Sequence, residues 1–513
     1  MQASERADAL ISWIKDYNAS RLNSVLIDER RCIPPYVILD FGRVGLLGLQ
    51  ADPEFGGLGL CNVESRRVVA QLAASDLTLA TMAGIHNLLG IRPIEAFGSD
   101  ATKERYLPQL ASGRILGGLA ITEHGAGSNP RAMASYATRE ADCWCVSGRK
   151  IWIGNGSWAG VLNVFARVRK DDQLTGVVLG CVVQSDRPGL VMGPEALTMG
   201  MRGVVQNEVV LTNVRVPLED VLGTAGEGLR VADDSFARAR LGISFMAVGA
   251  IQRCIQIAWR YATSRRISSG RLADNAYTVR RLSEMHYAVT ALDALNLTAA
   301  QAIDRGEGPP ATMIMACKIL GPELLGESVD RTLQLLGGRG YIETNAVPQL
   351  YRDARLLRIF EGPSETMAAH LGWLALNAGR QLTRALAEEL CQPAIAHRLH
   401  EVAERIADES EPSEPSEDAT IALGMATAWA FLAAGVAYQQ QLHGQGLELA
   451  TRWAALRFER VLGSMLRDRA DPFPELPELA AVLDSYEEQL GPLQQLLPGA
   501  QYGLDSLLEP PST

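Results

Sequence analysis

Glu361 stands between an apolar approach, Leu356, Leu357, Ile359 and Phe360, and a glycine, Gly362. That placement suits a base that takes a proton from carbon. Apolar surroundings favour the neutral acid and raise its pKa, and a residue without a Cβ lets a substrate come close to the backbone. Three further stretches carry groups that could meet a ligand. In LAITEHGAGS (Leu119 to Ser128), Gly125 and Gly127 free backbone N–H groups, while Thr122 and Ser128 supply short hydroxyls. In KIWIGNG (Lys150 to Gly156), Trp152 offers an aromatic face that excludes water and stacks on a conjugated ring. In QLLGGRGY (Gln334 to Tyr341), tight glycine turns admit a diphosphate or a sugar against backbone donors. Taken singly, such stretches are more often a plain glycine turn or a core tryptophan.

Other chemistries find less support. No GxGxxG follows a strand and opens a helix, and no GxxxxGK[ST] occurs, which argues against a nicotinamide fold and a P-loop. The net charge of -11, from 48 Lys+Arg against 59 Asp+Glu, argues against general nucleic-acid binding. Eight cysteines are scattered, and Cys143-x-Cys145 has neither redox spacing nor a second pair for zinc; they are expected to be reduced and mostly buried. His397 and His400 share a helix face without a third ligand, so no metal is expected. The N-terminus lacks the basic start and long apolar run of a signal peptide, so a cytoplasmic location is expected. Ala419 to Tyr438 is uncharged and long enough to span a bilayer, but its Ala and Gly content favours a closely packed buried helix, and no membrane span is expected.

The elements that must position these residues fall into blocks. With 513 residues the chain is expected to form about three or four domains. Residues 1–116 read as helical, with the loop ADPEFGGLGL between a helix ending near Leu49 and another starting near Asn62. Residues 117–228 change to short Val/Ile/Leu runs (CWCVSG, KIWIG, VLNVFARV, GVVLGCVVQ, GLVMG, NEVVLTNVRVP), a β-barrel or sandwich domain. Residues 229–380 return to a helical period. Val248, Ile251, Ile255, Ala258 and Ala262 share one face, and Val279, Leu282, Met285, Val289 and Leu292 another, as in a four-helix bundle. A helix carrying Met313, Met315, Cys317 and Leu320 follows Pro309-Pro310. Residues 381–513 form an extra helical extension, in which the acidic Asp408 to Asp418 (DESEPSEPSED) reads as an unfolded linker and EPPST as a frayed end. The fold class is therefore mainly α with a central β domain.

With these motifs in this order, the chain resembles the acyl-CoA dehydrogenase family from about Ala51 to Gly372. LAITEHGAGS resembles the family's Thr-Glu-Pro-Gly-Ala-Gly-Ser loop, with His124 in place of proline, and KIWIGNG its Trp-Ile-Thr-Asn-Gly, with Gly154 in place of threonine. QLLGGRGY is similar to Gln-x-x-Gly-Gly-x-Gly-Tyr/Phe, and FEGPSE to Tyr-Glu-Gly-Thr-Ser-Gln, where Pro363 and Glu365 depart from the pattern. MGMRG (Met199 to Gly203), NVRVP and GEGL also stand in family order.

The resemblance implies FAD-dependent α,β-dehydrogenation of an acyl thioester, carried on coenzyme A or on carrier-protein phosphopantetheine. Glu361 would take the α-proton while the flavin N5 takes the β-hydride from the opposite face, and the backbone N–H of Glu361 would help hold the enolate oxygen. It implies FAD contacts at Leu119, Ile121, Thr122, Ser128, Trp152, Ile153, Gly154, Arg265, Gln334, Gly337, Gly338, Ser364 and Glu365, some from a neighbouring subunit, and substrate contacts at Ser128, Arg240 and Gly362. Some relatives carry the base beside the position of Arg240, where this chain has Ala239. Arg265 is kept, but Ser268-Ser269 replaces Phe-Gly and Ala276 stands near an expected glutamine, so altered FAD contacts are expected. The extension implies a homodimer. A flavin oxidase or monooxygenase, and an interaction protein without FAD, are the alternatives; nothing in the sequence names the electron acceptor or the acyl chain.

Overall fold

The computed structural model describes residues 3–308, 310–410, 415–444, 446–468 and 476–491. The first block holds α1 (Ala3–Ser20), α2 (Ser24–Arg30), α3 (Pro35–Val44), α4 (Asn62–Ser75), α5 (Leu77–Gly84), a π-helical stretch (Ile85–Ile91), α6 (Arg92–Phe97) and α7 (Asp100–Ala111). Their boundaries follow local chemistry. Asp76 caps α5 by accepting from the Leu79 N–H at 2.8 Å, and Ser99 caps α7 by accepting from Thr102 at 3.1 Å. The π-helical stretch is anchored by His86, which is fully buried. Its Nδ1 accepts from the Gly117 N–H at 2.9 Å, and its Nε2 lies 3.0 Å from the Leu110 carbonyl. Burial lowers the imidazole to about 4, so it serves as a neutral brace between helix and sheet.

The central block holds β1 (Leu116–Ala120), β2 (Tyr136–Arg139), β3 (Cys143–Gly154), β4 (Ala159–Lys170), β5 (Gln173–Gln184), β6 (Leu190–Glu195) and β7 (Gln206–Pro217). They form one mixed sheet in the order β1-β4-β2-β3-β7-β6, with β5 on β4; β1 and β2 pair with β4 in parallel, the remaining pairs antiparallel. Val146, Leu162, Val164, Leu179, Val209 and Val214 pack as its core. CWCVSG and KIWIG are one strand, β3, interrupted by a bulge between Lys150 and Ile153. β1 and β2 were not among the expected runs.

The third block begins with α8 (Gly228–Ser264), about 55 Å long at helical rise. After the short β8 (Arg266–Ile267) and β9 (Gly270–Arg271) come α9 (Ala276–Asp304), α10 (Ala311–Leu336), α11 (Gly338–Tyr341), α12 (Val347–Leu356), α13 (Ser364–Asn377), α14 (Gly379–Arg384), α15 (Pro393–Ser410), α16 (Glu417–His443), α17 (Glu448–Asp468) and α18 (Leu476–Leu490). The expected face of α8 is buried except for a partly exposed Ile255. On α9, Leu282, Met285, Val289 and Leu292 are buried, but Val279 is 48% exposed because it lies in the first turn, before the helix enters the bundle.

α16 is packed as its small residues suggested. A Cβ on Gly372 of α13 would meet the Thr420 carbonyl oxygen at 1.9 Å, and one on Gly424 the Ala368 carbonyl at 1.8 Å, so the two backbones touch. Among the described residues two helices, α8 and α16, are long and apolar enough to cross a membrane; 72% and 78% of their apolar windows are buried within the protein. Helix also enters the expected acidic linker from both sides. α15 runs to Ser410, and Ser416 caps α16 with Glu417 and Asp418 in the first turn, where negative charge meets the helix dipole. Residues 411–414 and the terminal EPPST lie outside the described residues.

The eight cysteines carry no disulfide; Cys143, Cys181, Cys254 and Cys317 are buried, whereas Cys32, Cys61 and Cys391 are exposed, so only half meet the expectation of burial. The chain divides into two compact units, Met1–Leu462 and Gly463–Thr513. In the second, α18 exposes Val482, Leu483 and Leu490.

Candidate active site

Glu361 lies on the turn between α12 and α13, and its backbone is left-handed, with φ 57° followed by 101° at Gly362. A glutamate in that region is strained and must be held there. Three side chains hold the turn. From α8, Arg240 Nε donates to the Glu361 carbonyl at 3.1 Å. From α10, the buried Lys318 Nζ donates to the Leu357 carbonyl at 2.6 Å. One turn further along α10, Glu323 pairs with Arg358 at 2.9 Å and accepts from the Ser364 hydroxyl at 2.9 Å. Gly326 makes this possible, since a Cβ there would lie 2.3 Å from the Arg358 guanidinium.

The carboxyl itself is left free. Glu361 as a whole is partly exposed, yet Oε2 is sealed from solvent and has no hydrogen-bond partner. Burial raises the carboxyl to about 7, against the pull of the Arg240 and Lys318 cations. Such a group exchanges a proton readily near neutrality. The Glu361 backbone N–H also donates to no protein acceptor among the described residues.

On the β domain, the loop after β1 closes in a tight turn, with Glu123 and Ala126 exchanging backbone hydrogen bonds at 3.1 and 3.3 Å. A buried ion pair fixes it. Glu123 accepts from Lys150 Nζ at 2.7 Å and from the Ala134 and Ser135 N–H groups at 2.6 and 3.1 Å, while Lys150 also donates to the Ile121 carbonyl. Burial works to raise the Glu123 carboxyl, but the lysine and these donors hold it below its ordinary value. Thr122 is partly exposed and Ser128 exposed, and neither hydroxyl has a protein partner among the described residues. The bulge in β3 turns Trp152 out of the sheet at φ 56°, with 61% of the residue exposed.

The other expected site residues divide by environment. Leu119, Ile121 and Ile153 bury their side chains in the core, so only their main chain can meet a ligand. Gly154 faces Ile85, whose Cδ1 would lie 2.7 Å from a Cβ at that position. Gly362 has Met367 Sδ at 2.8 Å from the corresponding point. The Ser364 hydroxyl is spent on Glu323, and Glu365 is exposed in the first turn of α13. Arg265 and Gln334 are exposed at the C-terminal ends of α8 and α10, and Gly337 and Gly338 have no atom near a would-be Cβ. None of these four bonds to Trp152 or Glu361 within the chain. Beside them Arg253, Arg260, Leu336 and Arg339 line a cavity of about 750 Å³ that Glu361 does not line.

Lys318, Glu323, Arg358 and the Glu123–Lys150 pair were not singled out in the sequence. For Lys318 one signal existed: a lone cation inside the apolar run MIMACKILG.

The sequence matches one family between residues 5 and 373. "Acyl-CoA dehydrogenase, N-terminal domain" covers residues 5–114, the middle domain 118–214 and the C-terminal domain 226–373. The chain belongs to the acyl-CoA dehydrogenase family. Among relatives, the very long-chain specific acyl-CoA dehydrogenase, mitochondrial, of Macaca fascicularis is 31% identical over 332 residues, 63% of this chain and 50% of the relative. The probable acyl-CoA dehydrogenase FadE10 of Mycobacterium tuberculosis is 29% identical over 73% of this chain and 59% of its own length. The chain thus spans about half the length of the curated relatives it matches. In structure it is similar to an acyl-CoA dehydrogenase complexed with FAD from Bacillus anthracis, with TM-score 0.79 and 21% identity over 96% of this chain and 92% of that one. A glutaryl-CoA dehydrogenase from Mycobacterium smegmatis gives TM-score 0.67 and 28% identity over 73% and 94%.

Proposed function

We propose that this chain binds FAD and converts an acyl thioester, on coenzyme A or on carrier-protein phosphopantetheine, into its 2,3-enoyl form. The Glu361 carboxyl carries the reading: strained into place, unpartnered at Oε2 and raised to about 7.

The residues present fit the dinucleotide. An exposed indole, two unpartnered hydroxyls and glycines opening on free space are unusual together, and each matches a part of such a ligand. Thr122, Ser128, the Trp152 face and the main chain around Leu119, Ile121, Ile153 and Gly154 would hold it, with Arg265, Gln334, Gly337 and Gly338 from a second copy. A homodimer is part of this proposal. FAD, when bound, supplies the acceptor for the β-hydride.

The chain's own residues supply the rest. Glu361 takes the α-proton at Oε2. Its free backbone N–H meets the thioester oxygen as negative charge grows there, the kind of preorganised donor that stabilises an enolate. Arg240 fixes the peptide on the other side of that residue and so keeps both groups in register.

Anaerobic addition of short, branched and aminoacyl thioesters on both carriers is expected to bleach the yellow protein. Glu361→Gln is expected to keep its colour and not bleach. A colourless protein that cannot be reconstituted, or bleaching undiminished in the variant, overturns the proposal. Readmitting air tests an oxidase reading, which Gly154 permits and Glu361 argues against, by hydrogen peroxide formed with each turnover.

A further inference from the structure

Lys318 sits in the first third of α10 with 1% of its surface exposed, and Met313, Ile314, Cys317 and Ile319 of the same stretch are buried too. A buried ammonium is expensive, and of its three donors only one has a hydrogen-bond acceptor among the described residues, the Leu357 carbonyl at 2.6 Å. Leu357 opens the turn that leads to Glu361, so the cation is tied to the base through a short stretch of backbone that ends in the strained residue itself. The charges around it are few. Glu361 faces it from the turn, Arg240 from α8, and Glu323 from α10 itself; Glu323 is engaged by Arg358 and Ser364. Arg240 in turn feels Asp233 on its own helix.

We infer that Lys318 is a positioning residue for Glu361: its buried ammonium fixes the turn at Leu357 and serves, with Arg240, as the counter-charge against which the Glu361 carboxyl gains and loses its proton. The inference rests on the reading of Glu361 as the base. It goes further in making proton affinity at that residue a property of three groups on three elements. The coupling is reciprocal, because each charge stabilises the other. Burial lowers Lys318 to about 8, with Glu361 holding it up and Arg240 pressing it down; burial raises Glu361, with Arg240 and Lys318 holding it down.

Two measurements test this on the holoenzyme. An acetyl thioester has α-hydrogens and no β-carbon, so exchange of those hydrogens in D2O reads the base without hydride transfer. In Lys318→Met the midpoint of the exchange–pH profile is expected to rise by about one unit or more, since an opposite charge is lost. Lys318→Arg is expected to keep the midpoint near wild type while lowering the plateau. A plateau that falls in both variants with no change of midpoint marks a merely structural lysine and overturns the inference. Should the methionine variant not fold, the second measurement stands alone: side-chain ¹⁵N NMR of labelled lysines in wild type and Glu361→Gln. The ionisation of Lys318 is expected to move to lower pH when the carboxylate is removed. An unmoved Lys318 resonance overturns the inference, whatever the thioester chemistry. Absent exchange in wild type with the lysine coupling intact overturns the functional reading alone.

Discussion

Two glutamates, each with a buried lysine nearby, stand in this protein in opposite states. Glu123 spends its carboxylate fully: Lys150 and two backbone N–H groups saturate it, and the carboxyl is held below its ordinary value. Glu361 leaves Oε2 without a partner, its lysine donates to a carbonyl, and burial raises the carboxyl to about 7. Residue type is the same in the two places, and in each a carboxyl oxygen is shielded from water. Where the lysine directs its hydrogen bond separates a locked ion from a poised acid.

The contrast is broken most strongly by removing the two acids. Glu361→Gln is expected to lower turnover by about 10²–10⁴-fold, the range of a general base, with folding retained, read by steady-state kinetics and circular dichroism. Glu123→Ala should do the reverse. It leaves Lys150 as an unpaired buried cation and is expected to cost about 3–5 kcal/mol of stability, read by urea unfolding. A Glu123→Ala protein as stable as wild type would mean that the pair does not hold the glycine loop.

Changing pH sharpens the comparison, because the two acids respond with opposite sign. Glu123, depressed in the fold, contributes stability that is present above the ordinary 4.5 and lost as pH falls through its folded value. Glu361, raised in the fold, contributes stability that is present below 4.5 and lost as pH rises through about 7. Glu361→Gln should therefore match wild type at about pH 4 and below and gain on the order of 1–3 kcal/mol above pH 8. Turnover in wild type is expected to rise with pH through about 7 and level off. Equal pH dependence of stability in wild type and Glu361→Gln would place the carboxyl outside its buried site.

The sequence disclosed the parts of the site that depend on residue type and near neighbours. A glutamate followed by glycine, a tryptophan beside glycines and short hydroxyls are visible in the text, and the family order linked them. What lay hidden was held by long-range packing. Lys318 meets the turn only because α10 passes by it, 39 positions away from Leu357 in the chain, and Lys150 meets Glu123 only because the loop after β1 lies against β3, where the Ile151 N–H donates to the Thr122 carbonyl at 2.9 Å. β1 escaped notice for a related reason: LGGLA has little strand propensity and becomes a strand by lying fully buried beside β4. The acidic stretch misled in another way, since the charge that argues for an unfolded linker also suits the first turn of α16.

The smallest expected effect probes how firmly the poised acid is held. Ser364→Ala removes one of two partners of Glu323, the other being Arg358, and leaves the Arg240 and Lys318 anchors in place. A single hydrogen bond of this kind contributes about 1 kcal/mol, so unfolding should shift by that amount and turnover by only a few-fold. If strain at Glu361 is shared among several anchors, losing one changes how often the turn relaxes and leaves its form intact. A loss approaching that of Glu361→Gln would instead mean that one hydroxyl sets the geometry and that the three charged anchors follow it.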